Sequence, residues 1–215
     1  MNASGFSADK HDLSRPAFTV MTPIIATNIE SGRQSLVALT GLSTGTIYFL
    51  RPRNGGKRGI SRLFQIIKSY REKPIWRTQP FYLKRKLQSI SYHYKRLISF
   101  SPSFYDTLIE DLCDQSTTIV TQLRRNRPSS GVIALALAID GGQYGRYIIS
   151  GFNFELTHEY ARNSDIIRRG RITSPHAETD VMVLQYLARK IGGIYTTEIA
   201  VNERANIPFL PDQFL

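Results

Sequence analysis

The chain has a single cysteine, Cys113, among 215 residues. That excludes an internal disulfide framework and a zinc site built on several thiolates, and it suits a reducing compartment. Long apolar runs are missing too. The longest, Val132 to Ile139, falls far short of the roughly twenty residues that a membrane span needs. Residues 1–20 carry no apolar stretch of the secretory kind. A cytoplasmic protein is therefore expected, soluble or peripheral to the inner face of the cell membrane. Acidic residues are nearly absent from residues 51–97, where fourteen Lys/Arg face only Glu72.

That basic segment accounts for the net charge of +11 and interleaves Phe64, Tyr70, Trp76, Phe81, Tyr82, Tyr92 and Tyr94. Such a pattern attracts phosphate or carboxylate groups. Three readings stay open: solvated helix faces, an anionic membrane surface or anionic acceptor, and nucleic acid, the last being the least favoured. An apolar fraction of 41% and a length of 215 residues are ample for one α/β domain with a real core.

Residues 1–35 are rich in Ser, Asn, Gly and Arg with little periodicity, so a poorly ordered leader is expected, with a short strand near Phe18 to Ile25. Residues 36–215 are expected to form a single α/β domain. Thr46 to Leu50 reads as a buried strand. Arg51-Pro52-Arg53-Asn54-Gly55-Gly56 must be a loop, because Pro and paired Gly break regular structure. Ile60, Leu63, Phe64, Ile67 and Tyr70 recur at helical spacing, and Lys73-Pro74 ends that helix. Residues 81–100 read as helical or irregular, so 51–97 is expected to be a basic helical lid.

Further along, Phe104, Leu108 and Leu112 share one face of a helix over Ser103 to Cys113. Val132 to Ile139 predicts a buried helix with a Ser cap, ending at Asp140-Gly141-Gly142. Arg146 to Ser150 is a short core strand, Thr179 to Ile191 a helix, and Ile194 to Thr197 another strand. This alternation points to α/β layering with parallel strands, a Rossmann-like sheet flanked by helices.

Three polar segments sit at the edges of these elements. Arg127-Pro128-Ser129-Ser130-Gly131 opens a helix, where free N–H groups and the dipole favour an anion. Arg127 adds a forked cation. The alternative is an ordinary N-cap. Gly151-Phe152-Asn153-Phe154 follows a strand, the position at which ligands meet a parallel sheet. Gly151 permits close approach, Asn153 can read a base or ribose edge, and Phe154 can stack; a tight turn with two core aromatics is the alternative. Tyr160 can donate to a phosphate or simply pack. Of the four histidines, His158 and His176 are candidate bases. His176 precedes a helix start, with Glu178 or Asp180 to orient its ring. His176-Ala177-Glu178 also matches the H-x-E of zinc deaminases, but no C-x-x-C completes that site, and no metal ligand set is expected.

The order and spacing of these pieces resemble the C-terminal half of bacterial sialyltransferases of glycosyltransferase family 42. There, an Arg-x-Thr-Ser-Gly-Val segment opens a helix, a strand ends Ser-Gly-x-Asp-Phe-Tyr, and a His-containing loop leads into a helix with Thr-Asp. The matching segments here are Arg127 to Val132, Ser150 to Glu155 and His176 to Asp180, within about residues 100–211. The resemblance implies a glycosyltransferase A-type variant fold. It implies inverting, metal-independent transfer of sialic acid, or a related acidic sugar, from a CMP-sugar to a hydroxyl of a glycan or glycolipid. His176 would be the base, and Arg127, Ser129, Ser130, Gly131, Gly151, Asn153 and Phe154 would hold the CMP. Glu155 stands where the first of two phosphate-supporting Tyr hydroxyls would be, and Tyr160 would be the second. No cofactor is implied. The family's N-terminal Gly-Asn-Gly-Pro-Ser turn and Cys-Asn segment are not found, which leaves an inactive or truncated relative open. A non-catalytic protein binding nucleic acid or anionic membrane through residues 51–97 is the competing reading. The oligomeric state is also open, a homo-oligomer included.

Overall fold

The computed structural model describes residues 16–26, 30–51, 80–152, 154–155 and 173–211. They belong to two compact units, residues 1–102 and 103–215. Both are mixed α/β with parallel strands.

In the first unit, β1 (Phe18–Met21), β2 (Ser43–Leu50) and β3 (His93–Phe100) form a parallel sheet in the order β1-β2-β3. Phe18 pairs with Thr46, and Ser43 with His93 through Leu50 with Phe100. Parallel neighbours need a crossover. A 3-10 turn (Pro23–Ala26) and α1 (Glu30–Ala38) lie between β1 and β2, and α2 (Pro80–Ser89) lies ahead of β3. Val20, Met21, Ile25, Leu39, Ile47, Phe49, Leu83 and Leu87 are buried as the core. On the sheet, Tyr48 stacks on Phe100 at 5.2 Å and meets the edge of Phe18 at 5.3 Å. Gly45 is dictated by the chain crossing beside it. Its N–H donates to the Pro16 carbonyl, and a Cβ there would lie 2.2 Å from the Ala17 oxygen.

The second unit contains α3 (Pro102–Leu112), α4 (Thr117–Arg125), α5 (Ser130–Asp140), β4 (Tyr147–Ile149), α6 (Ala177–Ile191), β5 (Ile194–Thr196) and α7 (Ile199–Ala205). β4 and β5 pair in parallel, Tyr147 with Ile194 and Ile149 with Thr196. α6 packs against α4, α5, α7 and β5. Val183, Leu184 and Leu187 of α6 are buried, as are Ile119, Leu123, Val132, Ile133, Ala136, Val201 and Ala205 of its neighbours. A second tie lies at the far end of α6. Lys190 Nζ reaches Asp114 at 2.6 Å and the Leu112 carbonyl at 2.9 Å, and Tyr186 donates to Asp114 at 3.1 Å. This holds a turn in which Asp114 and Gln115 both take left-handed backbone angles.

Several expectations are corrected here. Within the expected leader, the short strand near Phe18 to Ile25 is present as β1, while the 3-10 turn and the start of α1 add order that composition does not predict. Their order comes from pairing with β2 and from burial of Val20, Met21 and Ile25. These are tertiary effects that local composition does not carry. Residues 93–100, read as helical or irregular, are the strand β3. It has a strand partner on one side only among the described residues, so exposed Lys95 and Arg96 sit side by side and mask the alternation expected of a strand. The described part of the basic segment is thus a helix and a strand built into a sheet rather than a free-standing lid. The helix expected over 60–70 lies outside the described residues. α4 and α7 were not anticipated. The strands at 147–149 and 194–196 and the helices at 102–112, 130–140 and 177–191 follow the sequence reading closely.

Candidate functional site

The three polar segments meet within the second unit. Pro128 biases Arg127 towards an extended conformation, and the Asn126 C-cap of α4 is itself extended, at φ −132° and ψ 130°. The connection from 126 to 129 therefore runs straight, along the first turn of α6. Three ties fix it there. The Asn126 carbonyl accepts from Thr179 Oγ1 at 3.2 Å, the Arg127 carbonyl lies 2.9 Å from His176 Nδ1, and Ser129 N–H donates to Asp180 Oδ1 at 2.7 Å. Gln122 adds bonds from α4 to Glu178 and Thr179, at 3.2 and 3.3 Å.

Ser129 is the N-cap of α5; its Oγ accepts from Val132 N–H at 3.4 Å. The Ser129 N–H goes to Asp180 and that of Ile133 to the Ser129 carbonyl. The N–H groups of Ser130 and Gly131 have no partner among the described residues, which leaves two donors at the positive end of the helix. Phe152 lies against this turn: a Cβ on Gly131 would come within 2.5 Å of its ring. Phe152 meets Phe154 edge to face at 5.2 Å, and the Arg204 guanidinium covers Phe154 at 4.8 Å. Phe154 is only 3% exposed and has φ 59°. Its ring is committed to packing, which leaves the half-buried Phe152 as the ring with free surface beside α5. Ser174 N–H donates to the Phe154 carbonyl at 2.9 Å, and Glu155 bridges to Thr173, so the His176 loop is tied to the same turn.

His176 is the N-cap of α6, and its own N–H donates to Ser174 Oγ at 3.2 Å. A carbonyl can only accept, so the neutral ring carries its hydrogen on Nδ1 and leaves Nε2 as a lone-pair acceptor. Burial, aided by the Arg127 charge, holds its pKa below the ordinary 6.5, against the opposing pull of the Arg127 carbonyl. The ring is thus neutral and correctly tautomerised for a base near pH 7. Neither Glu178 nor Asp180, the expected orienting groups, does this work: Glu178 faces Gln122 and Asp180 faces Ser129. Asp180 is 2% exposed, and burial pushes its carboxyl up to about 7 despite the Ser129 bonds. Its value as the anchor of the Ser129 cap was not legible from spacing.

Asn153, His158 and Tyr160 lie outside the described residues. Among the described residues no group of three His, Cys, Asp or Glu is placed to hold a metal ion. No helix among them is long and apolar enough to cross a membrane. A separate groove of about 580 Å³ in the first unit is lined by Pro16, Ala17, Gly45, Thr46, Lys95 and Arg96, and it contains none of the predicted site residues. No protein-family model, curated protein or solved structure matches the chain.

Proposed function

We propose that residues 103–215 carry the nucleotide-sugar site of a glycosyltransferase. The reaction is transfer of sialic acid, or a related acidic sugar, from a CMP-sugar to a glycan or glycolipid hydroxyl with inversion and without a metal. The observation that supports this most is the convergence of three segments: a helix start with two unpartnered N–H donors among the described residues, a Gly-Phe turn after a strand, and a histidine of defined tautomer. His176 Nε2 removes the acceptor proton as the acceptor oxygen attacks the anomeric carbon. The bond from that carbon to the phosphate oxygen breaks, and CMP leaves. Charge grows on the phosphate at that moment. Ser130 and Gly131 N–H groups, the dipole of α5 and Arg127 are suited to receive it. Asn153 and Tyr160 enter through the family resemblance, as do a glycosyltransferase A-type fold and a place in surface-glycan synthesis. Turnover of CMP-sialic acid with a glycan acceptor is the test. Loss of turnover in His176→Ala supports the reading, and no turnover by the parent chain contradicts it.

A second reading rests on α2. Its outward face presents Phe81, 75% exposed, with the exposed Lys84 and Arg85, opposite buried Leu83 and Leu87. This favours contact with an anionic membrane surface at the inner face of a cytoplasmic membrane. In the non-catalytic version, that contact or a nucleic acid would be the protein's whole business. Salt titration of vesicle and RNA binding, beside the turnover assay, separates the two.

A further inference from the structure

We propose that Glu198 is the residue through which the site recognises the ribose of its nucleotide. The proposal rests on the nucleotide-sugar reading and deepens it. Glu198 follows β5, and Gly151 follows β4. The Thr197 N–H donates to the Ile149 carbonyl at 3.1 Å, so the two strands stay in step to this point. Glu198 Oε1 then accepts the Gly151 N–H at 2.7 Å. The Thr197 hydroxyl lies between, 3.2 Å from Glu198 Oε1 and 3.0 Å from Ser150 Oγ. Glu198 Oε2 has no partner among the described residues.

A carboxylate fixed at the carboxyl edge of a parallel pair is where a ligand of this architecture arrives. An ionised carboxylate only accepts hydrogen bonds, so it repels phosphate and selects hydroxyls or amines. The N–H of Gly151 is therefore closed to the phosphate by Glu198, whereas the N–H groups of Ser130 and Gly131 are open. Phe152, against Gly131 and next to Gly151, spans the two. The ligand's direction follows: phosphate at the start of α5, sugar hydroxyls at Glu198 Oε2. The adjacent 2′- and 3′-hydroxyls of ribose supply the donors that this oxygen lacks.

Glu198→Gln isolates this role. The amide oxygen retains the Gly151 bond, so the turn is preserved, while an NH2 replaces the oxygen that faces the ligand. Calorimetry on the full chain compares CMP with its 2′-deoxy and 3′-deoxy analogues. The parent binds CMP about tenfold or more tightly than at least one analogue, because a charged acceptor left without its hydroxyl is penalised. In Glu198→Gln the difference shrinks to about threefold or less, with an unchanged melting temperature. Equal binding of all three nucleotides by the parent overturns the proposal, whatever the variant does. So does discrimination that survives in Glu198→Gln, and either result leaves the nucleotide site standing. Absence of CMP binding by the parent at millimolar concentration overturns both.

Discussion

Asp180 offers the sharpest quantitative test of the packing around the site. Its carboxyl is buried beneath the start of α5 and raised from 3.8 to about 7. Between those values the folded chain holds a proton that the unfolded chain has released. The associated stability is fully present below about pH 4 and is lost as pH rises through 7, where a charge must be carried in the interior. A displacement of that size corresponds to about 4 kcal/mol. Asp180→Asn removes the titration but keeps an amide oxygen for the Ser129 N–H, now 2.7 Å from Oδ1. Urea unfolding followed by circular dichroism from pH 4 to 8 is the assay. The stability of Asp180→Asn relative to the parent should climb by about 4 kcal/mol across the range. Any constant cost of burying an NH2 cancels in that slope. Parallel curves for the two chains would refute the claim that Asp180 is forced to ionise inside the fold.

The same packing and charge pattern set three other outcomes. His176→Ala should lower turnover about 10²- to 10⁴-fold with CMP affinity nearly unchanged; the parent's rate should fall on the acid side with a midpoint below 6.5, since burial lowers the His176 pKa. Gly45→Ala places a Cβ 2.2 Å from the Ala17 oxygen and should cost at least about 1–3 kcal/mol of stability, read by denaturant unfolding, because backbone atoms must move. Replacement of Lys84, Arg85 and Lys86 by Ser should weaken co-sedimentation with anionic vesicles by roughly tenfold or more and flatten its salt dependence; unchanged binding would make α2 a solvated face.

The parts of the fold legible in the sequence were those with local causes. Ser129-Ser130-Gly131 before an apolar run announces a capped helix, and Gly192-Gly193 after Lys190-Ile191 ends one. The short strand expected near Phe18 is β1, but α1 and β3 escape because tertiary contacts order them. The Lys95-Arg96 pair hides β3's period, and a short strand near Phe18 does not by itself announce β2 as its parallel partner. At the site, residue types and order pointed to Arg127, Ser129 and His176, but not to which atom meets which. The carbonyl of Arg127, rather than a carboxylate, sets the His176 tautomer. Of the two roles open to Phe154, stacking ring or core aromatic, burial beneath Arg204 fits the second, while Phe152 keeps the free surface. Glu198 lies some fifty residues from its partner Gly151, a distance over which no local pattern can speak.

Crystals soaked with CMP test the central claim most directly. The account predicts nucleotide density between the start of α5 and the Gly151 turn, with phosphate oxygens on the N–H groups of Ser130 and Gly131 and His176 Nε2 on the acceptor side, across the anomeric-carbon position from the phosphate. Density elsewhere, or none at millimolar CMP, would contradict it.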